Sequence, residues 1–445
     1  MKLARMKDCR VAVLGLGREG RSFCRVYARR LPGQSLTAFA EAAPAAEKDA
    51  GDFLERVRVE IGPFGEALSD FDILVRSPGV PVDHPAIVAA VKSGVHLVSP
   101  SSIWFSERPD VATIAVTGSK GKSTTAALLA HFIKAAGFRV VLAGNIGSPL
   151  LDHLDSEVDW VVAELSSYQL VDLQGRPSIA VVTRLFPEHQ DWHGGAEPYF
   201  AAKLKILDLV GSGTAFINGQ DAVLMARCGS HPAVVPGNLE TGLHGSQAGI
   251  QDGPDLLVGA GDLPLKGRHN RGNIALALEA GLRVGATMET MLAALPEFQP
   301  LEHRLQSLGI RGKVEWINDS ISTSPQATLA ALECLEKREV VLIAGGLERG
   351  SDWAPVFAGP ERRLYGLIVI PDNGGRIASQ ARAGLAPTAG IHECSSLDEA
   401  VATARRIAPD GGVVLLSPGA PSFPGFANFE ERGRRFSDLV PKSSD

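Results

Sequence analysis

The sequence predicts an α/β protein with mainly parallel sheets. Short apolar runs rich in Val and Ile alternate with Ala- and Leu-rich stretches of helical character, which is the pattern of strands joined by crossover helices. Most of these runs end in Gly, Ser, Thr or Pro, which suit the loops at the carboxyl ends of parallel strands, where ligand sites lie. With 445 residues, the chain is long enough for about two to four domains.

Each predicted strand is a run of β-branched and other apolar residues that stops at a turn-forming residue. In chain order, the segments that contain a strand and the loop after it are residues 11–17, 72–79, 113–123, 160–167, 180–185, 340–346, 367–370 and 413–419. Two polar joins divide the chain into predicted domains of residues 1–109, 110–300 and 301–445. In the second domain, a stretch rich in Gly, Asp and Pro at 237–268 predicts loops and short hairpins.

Composition and charge exclude several classes of function. A net charge of −6 leaves no excess positive field for a nucleic-acid backbone, and no apolar run approaches the roughly 18 residues of a membrane span. The five cysteines include no Cys-x-x-Cys pair, which argues against a zinc site and for a reducing compartment. The first apolar run is too short for a signal peptide. We therefore expect a cytoplasmic protein with no nucleic-acid or membrane partner.

A glycine-rich loop follows the strand in residues 113–117. Its sequence, Gly118-Ser119-Lys120-Gly121-Lys122-Ser123-Thr124, leads into a helix-like stretch that Gly137 closes. Strand, loop and helix in this order typically bind phosphate, because loop amides face the anion, the lysine reaches the terminal phosphates and the serine ligates Mg²⁺. Only two residues separate the glycines, whereas the standard motif has four, so an incidental loop is the alternative. The order of the elements favours phosphate binding.

A second glycine-rich turn lies near the N-terminus. Residues Gly15-Leu16-Gly17-Arg18-Glu19-Gly20 form a G-x-G-x-x-G pattern, and Glu41 follows 21 residues after the last glycine. One alternative is that the glycines merely allow a tight turn and bind nothing. If they do bind a ligand, any nucleotide diphosphate would fit, so the motif does not distinguish NAD from a UDP-sugar. Ser77-Pro78-Gly79 ends a later strand of the same domain and is expected to form another wall of that site.

Five further polar residues are candidates only in combination: Glu164, His189, Lys203, Asn270 and Asn273. Taken singly, each has an ordinary structural explanation as a solvated strand end, a polar loop residue, an exposed helical lysine or a helix cap. Beside a phosphate loop, however, a carboxylate offers the hard oxygen ligand that Mg²⁺ requires.

The combination resembles the Mur ligases, the ATP-dependent amide-bond-forming enzymes of peptidoglycan precursor synthesis. The segments that carry the resemblance follow the family order over almost the whole chain. They are TGSKGKST at 117–124, GNIG at 144–147, ELSSYQL at 164–170, PEHQDWHG at 187–194, AAKLKIL at 201–207, GRHNRGN at 267–273, EHRLQ at 302–306, NDSISTSP at 318–325 and LSPGAPSF at 416–423. The resemblance implies a Rossmann-like N-terminal domain for a UDP substrate, a central P-loop-type ATPase domain with a mainly parallel sheet, and a Rossmann-like C-terminal domain for an amino acid.

The resemblance also implies residue roles around ATP and Mg²⁺. The implied catalytic residues are Lys122, Asn145, His189 and Lys203, and the implied metal ligands are Ser123, Glu164, His189 and Lys203. Carbamylation would turn the Lys203 amine into an oxygen ligand. The implied ATP contacts are Gly118, Ser119, Lys120, Gly121, Lys122, Ser123, Thr124, Asn273, Arg304 and Asp319.

Within the family, the sequence resembles the glutamate-adding members. Their substrate, UDP-N-acetylmuramoyl-L-alanine, would contact Gly17, Arg18, Ser77, Pro78, Gly79 and Ser166, and glutamate would contact Thr323, Arg349, Ser422 and Phe429. The implied reaction forms an acyl phosphate with ATP, which the glutamate amine then attacks. An NAD-dependent dehydrogenase leaves the phosphate loop unexplained, and a P-loop ATPase of another kind leaves GRHNRGN and the C-terminal motifs unexplained.

Three departures from the family pattern fall around the amino-acid site. Arg349 replaces the lysine usual in enzymes that add D-glutamate, Ile321 replaces another lysine, and Gly419-Ala420-Pro421-Ser422 replaces A-C-A-S. Arginine and lysine grip a carboxylate with different geometry, so the sequence resembles the branch that adds L-glutamate and relies on a separate epimerase. D-Glutamate is the alternative. Arg184 stands where the family has Asn, and its role is open.

Overall fold

A computed structural model describes residues 1–40, 57–265, 267–335, 338–358, 364–384 and 390–441. The N-terminal domain alternates strands and helices, as the sequence predicts. Its elements are β1 (Val11–Leu14), α1 (Arg18–Arg30), β2 (Leu36–Ala40), β3 (Val57–Ile61), β4 (Ile73–Arg76), α2 (Pro85–Lys92), β5 (His96–Val98) and α3 (Pro100–Glu107), with short 3₁₀ helices at Leu3–Met6 and Glu66–Asp70.

The described strands of this domain form a parallel sheet in the order β3-β2-β1-β4-β5. Since β1 and β4 are neighbours, the loops after them meet at one edge. The Ser77 hydroxyl donates to the Gly15 carbonyl at 2.6 Å, and a Cβ on Gly20 would lie 2.1 Å from the same oxygen. The glycine turn and the 77–79 turn therefore share one wall, while Glu41 lies outside the described residues.

The central domain surrounds a second parallel sheet. Its elements are β6 (Ala112–Thr117), α4 (Lys122–Ala135), β7 (Val140–Gly144), β8 (Trp160–Glu164), α5 (Ser167–Leu170), β9 (Ile179–Val182), α6 (Gln190–His193), α7 (Ala196–Leu209), β10 (Thr214–Asn218), α8 (Ala222–Cys228), β11 (Val234–Gly237), β12 (Leu243–Gly245), β13 (Gly249–Asp252), β14 (Asp255–Gly259), α9 (Arg268–Val284) and α10 (Met288–Ala294), with 3₁₀ helices at Leu150–His153 and Leu295–Glu297.

The strand order β11-β10-β9-β6-β8-β7 places β6 at the centre of that sheet, between β8 and β9. The loop at 118–121 therefore opens beside the loops that follow Glu164 and Val182. The Gly-, Asp- and Pro-rich stretch contains the antiparallel ribbon β12-β13-β14, which confirms the predicted hairpins. Gly137 has a left-handed φ of 89° directly after the C-cap of α4, as its predicted role requires.

The C-terminal domain contains a third sheet. Its elements are β15 (Gln306–Arg311), β16 (Val314–Asn318), α11 (Pro325–Glu333), β17 (Val340–Gly345), α12 (Ala354–Phe357), β18 (Leu364–Ile370), α13 (Gly374–Gly384), β19 (Ile391–Glu393), α14 (Leu397–Ile407), β20 (Val413–Leu416) and α15 (Phe429–Leu439). The order is β15-β16-β20-β17-β18-β19, with β15 antiparallel to a parallel remainder. Because β16, β20 and β17 are adjacent, the loops after them meet at one edge.

The predicted fold class is confirmed, since the chain folds into three α/β domains. A continuous apolar core joins the N-terminal and central sheets, whereas separate cores cover the two faces of the C-terminal sheet. The chain divides into two compact units, each with most of its contacts inside itself. One unit contains Met1–Pro264 and Arg268–Phe298, and the other contains Leu265–Gly267 and Gln299–Asp445. The domain limits at 109 and 300 stay predictions. Among the described helices, none is long and apolar enough to cross a membrane.

Candidate active site

The phosphate loop is a tight turn that only glycine fits at two positions. Gly118 and Gly121 have left-handed φ values of 141° and 93°. A Cβ on Gly118 would lie 2.2 Å from Thr183 Oγ1, and one on Gly121 would lie 2.5 Å from Asn273 Oδ1. Both glycines are therefore required by backbone conformation and by close neighbours, although their spacing departs from the standard motif.

Side chains that the sequence analysis missed hold this loop in place. The Tyr199 hydroxyl donates to Ser119 Oγ at 2.9 Å, and Ser119 Oγ in turn donates to the Phe186 carbonyl at 2.7 Å. Thr183 Oγ1 donates to the Lys120 carbonyl, and the backbone carbonyl of Arg184 accepts from the Ser119 amide. Tyr199 lies one helical turn before Lys203, which was the available signal. The Arg184 side chain is exposed, and its role stays open.

Lys122 begins α4 and is half-buried. Its ammonium donates to the Ser119 carbonyl at 2.9 Å, so it lies over the loop at the helix N-terminus. Ser123 and Thr124, the next residues of the helix, are buried. An ammonium and helix amides that face the same turn form a site with positive potential, which suits a phosphate.

Lys203 is buried, contrary to what composition alone suggested. Its side chain is 2% exposed, its Nζ donates to the Gly118 carbonyl at 2.7 Å, and it lies 4.8 Å from the centre of the Tyr199 ring. Burial, followed by the neighbouring charge of Lys122, holds the pKa of the Lys203 amine well below its ordinary value. This lysine therefore belongs to the floor of the phosphate loop rather than to the solvated surface.

Glu164 is also buried, at 1% exposure, although it ends a strand. It pairs with Val116 in the sheet, immediately before the phosphate loop. One carboxylate oxygen accepts from Asn145 Nδ2 at 2.8 Å, and the other has no hydrogen-bond partner in the part of the chain that the structure describes. A buried carboxylate oxygen without a hydrogen-bond partner is suited to bind a cation.

His189 stands at the mouth of the site in a left-handed conformation with φ 52°. Its ring lies 5.0 Å from that of Tyr168, and the preceding Glu188 lies 3.9 Å from Lys120. Nearby, the His193 ring forms a hydrogen bond with the Ser167 hydroxyl at 2.9 Å, and burial lowers the pKa of His193 to about 4. Within the described ranges, no three His, Cys, Asp or Glu side chains form a ready metal cluster.

The amide side chains of α9 face the loop rather than cap the helix. Asn270 and Asn273 lie inside α9 and are buried, so the capping alternative is wrong. Asn273 Nδ2 donates to Asn270 Oδ1 at 3.2 Å. The close approach of Asn273 to Gly121 places this pair against the phosphate loop.

The predicted substrate residues of the N-terminal domain border the same region. Arg18 donates to the carbonyls of Asn145 and Gly147 at 2.8 and 3.2 Å, which links α1 to the loop after β7. A Cβ built on Gly17 would have no neighbouring atom within 4 Å, apart from the adjacent residues of the chain. Ser166 caps α5 through a reciprocal capping box with Gln169, so its hydroxyl is already engaged in the described contacts.

The C-terminal domain brings together the loops predicted to hold the amino acid. The Leu347 amide donates to the Pro421 carbonyl at 3.0 Å, which joins the loop of Arg349 to the loop of Ser422. The Ser320 hydroxyl donates to the Phe429 carbonyl at 2.8 Å. Thr323 and Arg349 are exposed, whereas Ser422 is buried.

Asp319 is enclosed within its own domain. Its carboxylate accepts from the hydroxyls of Ser322 and Ser417 and from the Leu305 amide, at 2.5, 2.8 and 3.1 Å. Burial raises the pKa of Asp319, and these hydrogen bonds, followed by the charge of Arg304, oppose that change. Asp319 therefore shapes the 319–322 turn, and contacts of Asp319 and Arg304 with a nucleotide stay predictions.

Each of the three domains matches a model of a known protein family. The family model described as Mur ligase MurD-like, N-terminal domain, matches residues 9–99. The Mur ligase middle domain matches residues 116–281, and the Mur ligase, glutamate ligase domain, matches residues 303–419.

Relatives that match almost the whole chain belong to the same group of ligases. A UDP-N-acetylmuramoyl-L-alanine–L-glutamate ligase of Xylella fastidiosa is 38% identical over 99% of this chain and 97% of its own. A ligase of the same name from Micromonospora is 39% identical over 99% of this chain and 98% of its own. The solved UDP-N-acetylmuramate–alanine ligase of Thermotoga maritima shares the fold, with a TM-score of 0.61, 17% identity and coverage of 97% and 98%. The chain therefore belongs to the Mur ligase family.

Proposed function

We propose that this protein is an ATP-dependent ligase that joins L-glutamate to UDP-N-acetylmuramoyl-L-alanine in peptidoglycan precursor synthesis. The observation that carries the proposal is the phosphate loop with Lys203 on its floor and the buried Glu164 beside it. Relatives that cover 99% of the chain carry this activity in their names. Their names support both the acyl substrate and the stereochemistry of the acceptor.

The chemistry requires activation because a carboxylate at neutral pH has only oxide as a leaving group. In the proposed reaction, a carboxylate oxygen of the alanyl group attacks the γ-phosphorus of ATP, and ADP leaves with an acyl phosphate formed. The glutamate amine then attacks the acyl carbon, loses a proton and expels phosphate, which completes the amide. The protein mainly positions the reactants and neutralises charge, as in phosphoryl transfer generally.

The residues around the loop fit nucleotide and metal. Gly118 and Gly121 allow phosphate to approach the backbone, and the Lys122 ammonium and the N-terminus of α4 provide positive charge. Ser123, Glu164, His189 and a carbamylated Lys203 would hold Mg²⁺, and the unpartnered oxygen of Glu164 is the direct support for that assignment. When bound, Mg²⁺ would neutralise phosphate charge during transfer.

The acceptor preference rests on the C-terminal loops. Arg349 is exposed on a loop that Arg376 holds through a bond to the Gly350 carbonyl at 2.6 Å. A guanidinium is a planar fork that grips a carboxylate by two bonds, whereas an ammonium is a point charge. Enantiomers share every functional group, so a binding site distinguishes them only by the direction from which it binds each group. We propose that Arg349 binds a carboxylate of L-glutamate, with Thr323, Ser422 and Phe429 completing the site.

We expect L-glutamate to exceed D-glutamate by about tenfold or more in kcat/KM, since one mismatched polar group costs at least that much. The measurement is chromatographic detection of the amide product with each enantiomer, under saturating ATP and UDP-substrate. Arg349→Lys should narrow the ratio, and Arg405→Lys, an exposed arginine on α14, is the control. Faster product with D-glutamate would overturn the stereochemical assignment alone, and no amide with either enantiomer would overturn the ligase.

The remaining expectations concern the setting of the reaction. We propose a cytoplasmic enzyme, because five cysteines without a Cys-x-x-Cys pair suit a reducing compartment. If L-glutamate is added, a separate epimerase must invert that residue before D-glutamate appears in the product chain. Incubation of the purified ligation product with cell extract, followed by analysis of glutamate stereochemistry, would detect such a partner.

A further inference from the structure

Arg76 is a fully buried arginine at the end of β4, in the N-terminal domain, and the proposed chemistry assigns it no role. Its Nε and Nη2 donate to the two carboxylate oxygens of Asp172 in the central domain, both at 2.7 Å. Nη2 also donates to the Tyr168 carbonyl at 2.8 Å. One side chain therefore crosses the boundary between the UDP-substrate domain and the ATPase domain.

The other nitrogen of the Arg76 fork holds the turn predicted to contact the UDP substrate. Nη1 donates to the carbonyls of Pro78 and Val80 at 3.1 and 2.6 Å. The Gly79 carbonyl, which lies between them in the chain, accepts from the indole of Trp192 at 3.1 Å. Trp192 belongs to α6, beside His189. The 77–80 turn is therefore held both by Arg76 of its own domain and by Trp192 of the central domain, which lies beside the predicted catalytic residue His189.

The segment on the other side of Arg76 is the short helix α5, which begins three residues after Glu164. It is held at two points by the N-terminal domain. The Gln169 side-chain amide donates to Glu19 of α1, and Arg76 binds both the Tyr168 carbonyl and Asp172. A four-residue helix has little stability of its own, so these contacts set where Ser166 and Ser167 lie relative to the phosphate loop.

From this arrangement we infer that Arg76 is a positioning residue, which fixes the 77–80 turn and α5 in one register and so delivers the acyl end of the UDP substrate to the phosphate loop. The inference rests on the proposed function. The five N–H donors of the planar guanidinium bind acceptors in both domains. A lysine ammonium has three donors that do not lie in one plane, so it cannot form the same set of hydrogen bonds. Desolvation of the two charges offsets their attraction, so a buried ion pair is weak evidence for a role in stability.

The test is Arg76→Lys, which keeps the charge and loses the fork. We expect kcat/KM for UDP-N-acetylmuramoyl-L-alanine to fall about tenfold to a hundredfold, since small misplacement of a reactant has effects of this size. ATP affinity should stay within about threefold of the parent, and the thermal midpoint within about 5 °C. The matched control is Arg108→Lys, another arginine that holds loop carbonyls, on Leu154 and Ser156, and pairs with Asp110.

Asp172→Asn is the second variant, and it leaves Arg76 in place. If both residues act through one contact, the double variant should lose no more in kcat/KM than the worse single variant. Unchanged kcat/KM for the UDP substrate in both single variants overturns the inference, as does a parallel loss of thermal stability and ATP affinity, which marks a purely structural role. A parent protein that forms no product overturns the proposed function, and this inference with it.

Discussion

Replacing Lys122 by alanine should lower kcat by about a hundredfold or more while the fold survives, because removal of one group that stabilises transition-state charge has effects of this size. The ammonium lies at the N-terminus of α4 and bonds the Ser119 carbonyl at 2.9 Å. It is half-buried and is not part of the apolar core. Its removal should therefore cost charge neutralisation on the transferred phosphoryl group rather than packing.

The measurement is ADP release coupled to amide formation, together with the thermal midpoint. Lys134→Ala is the matched control, because Lys134 lies exposed in the last turn of the same helix. We expect the control to keep the parent rate. An Lys122→Ala variant that turns over within a few-fold of the parent, at unchanged stability, would contradict the assignment of residues 118–124 as the phosphate site.

The fold was predictable from the sequence because its strands are short, apolar and bounded by turn formers. The strand, glycine loop and helix predicted from residues 113–137 are present as β6, the 118–121 turn and α4, whereas the position of β6 between β8 and β9 is known only from the sheet topology. The burial of individual side chains was harder to predict from the sequence. Composition favoured a solvated Glu164 and an exposed Lys203, yet both are buried. Their combination with the phosphate loop and the family resemblance were the signals that indicated otherwise.

The contacts that sequence reasoning missed are those between distant segments. Arg76 and Asp172 are 96 residues apart, and neither stands in a pattern that marks a partner. Burial of such a pair depends on how two sheets share one core, which local periodicity does not encode. Asn270 and Asn273 show a smaller error, because their position before an apolar run fits a helix cap, whereas α9 already begins at Arg268.

Lys203→Ala should be nearly inactive, and a small carboxylate should restore part of the activity. The buried amine lies on the phosphate loop, and its pKa is lowered by burial and by Lys122. A lower pKa gives the amine a larger share of the neutral form that reacts with CO₂ than an exposed lysine has. Attack of the amine nitrogen on CO₂ forms an N–C bond and releases a proton, which leaves a carbamate. Alanine removes that oxygen ligand and opens space that formate or acetate can enter.

Two added molecules distinguish a carbamate from a plain cation at this position. If Lys203 acts as a carbamate, formate should raise the rate of Lys203→Ala and methylammonium should not, because Mg²⁺ takes oxygen ligands. Lys205→Ala is the control, since Lys205 lies on the same helix but donates to the Val171 carbonyl at 3.1 Å, away from the loop. Rescue by methylammonium alone would assign Lys203 to holding the Gly118 carbonyl, and the metal site would then lack its fourth predicted ligand.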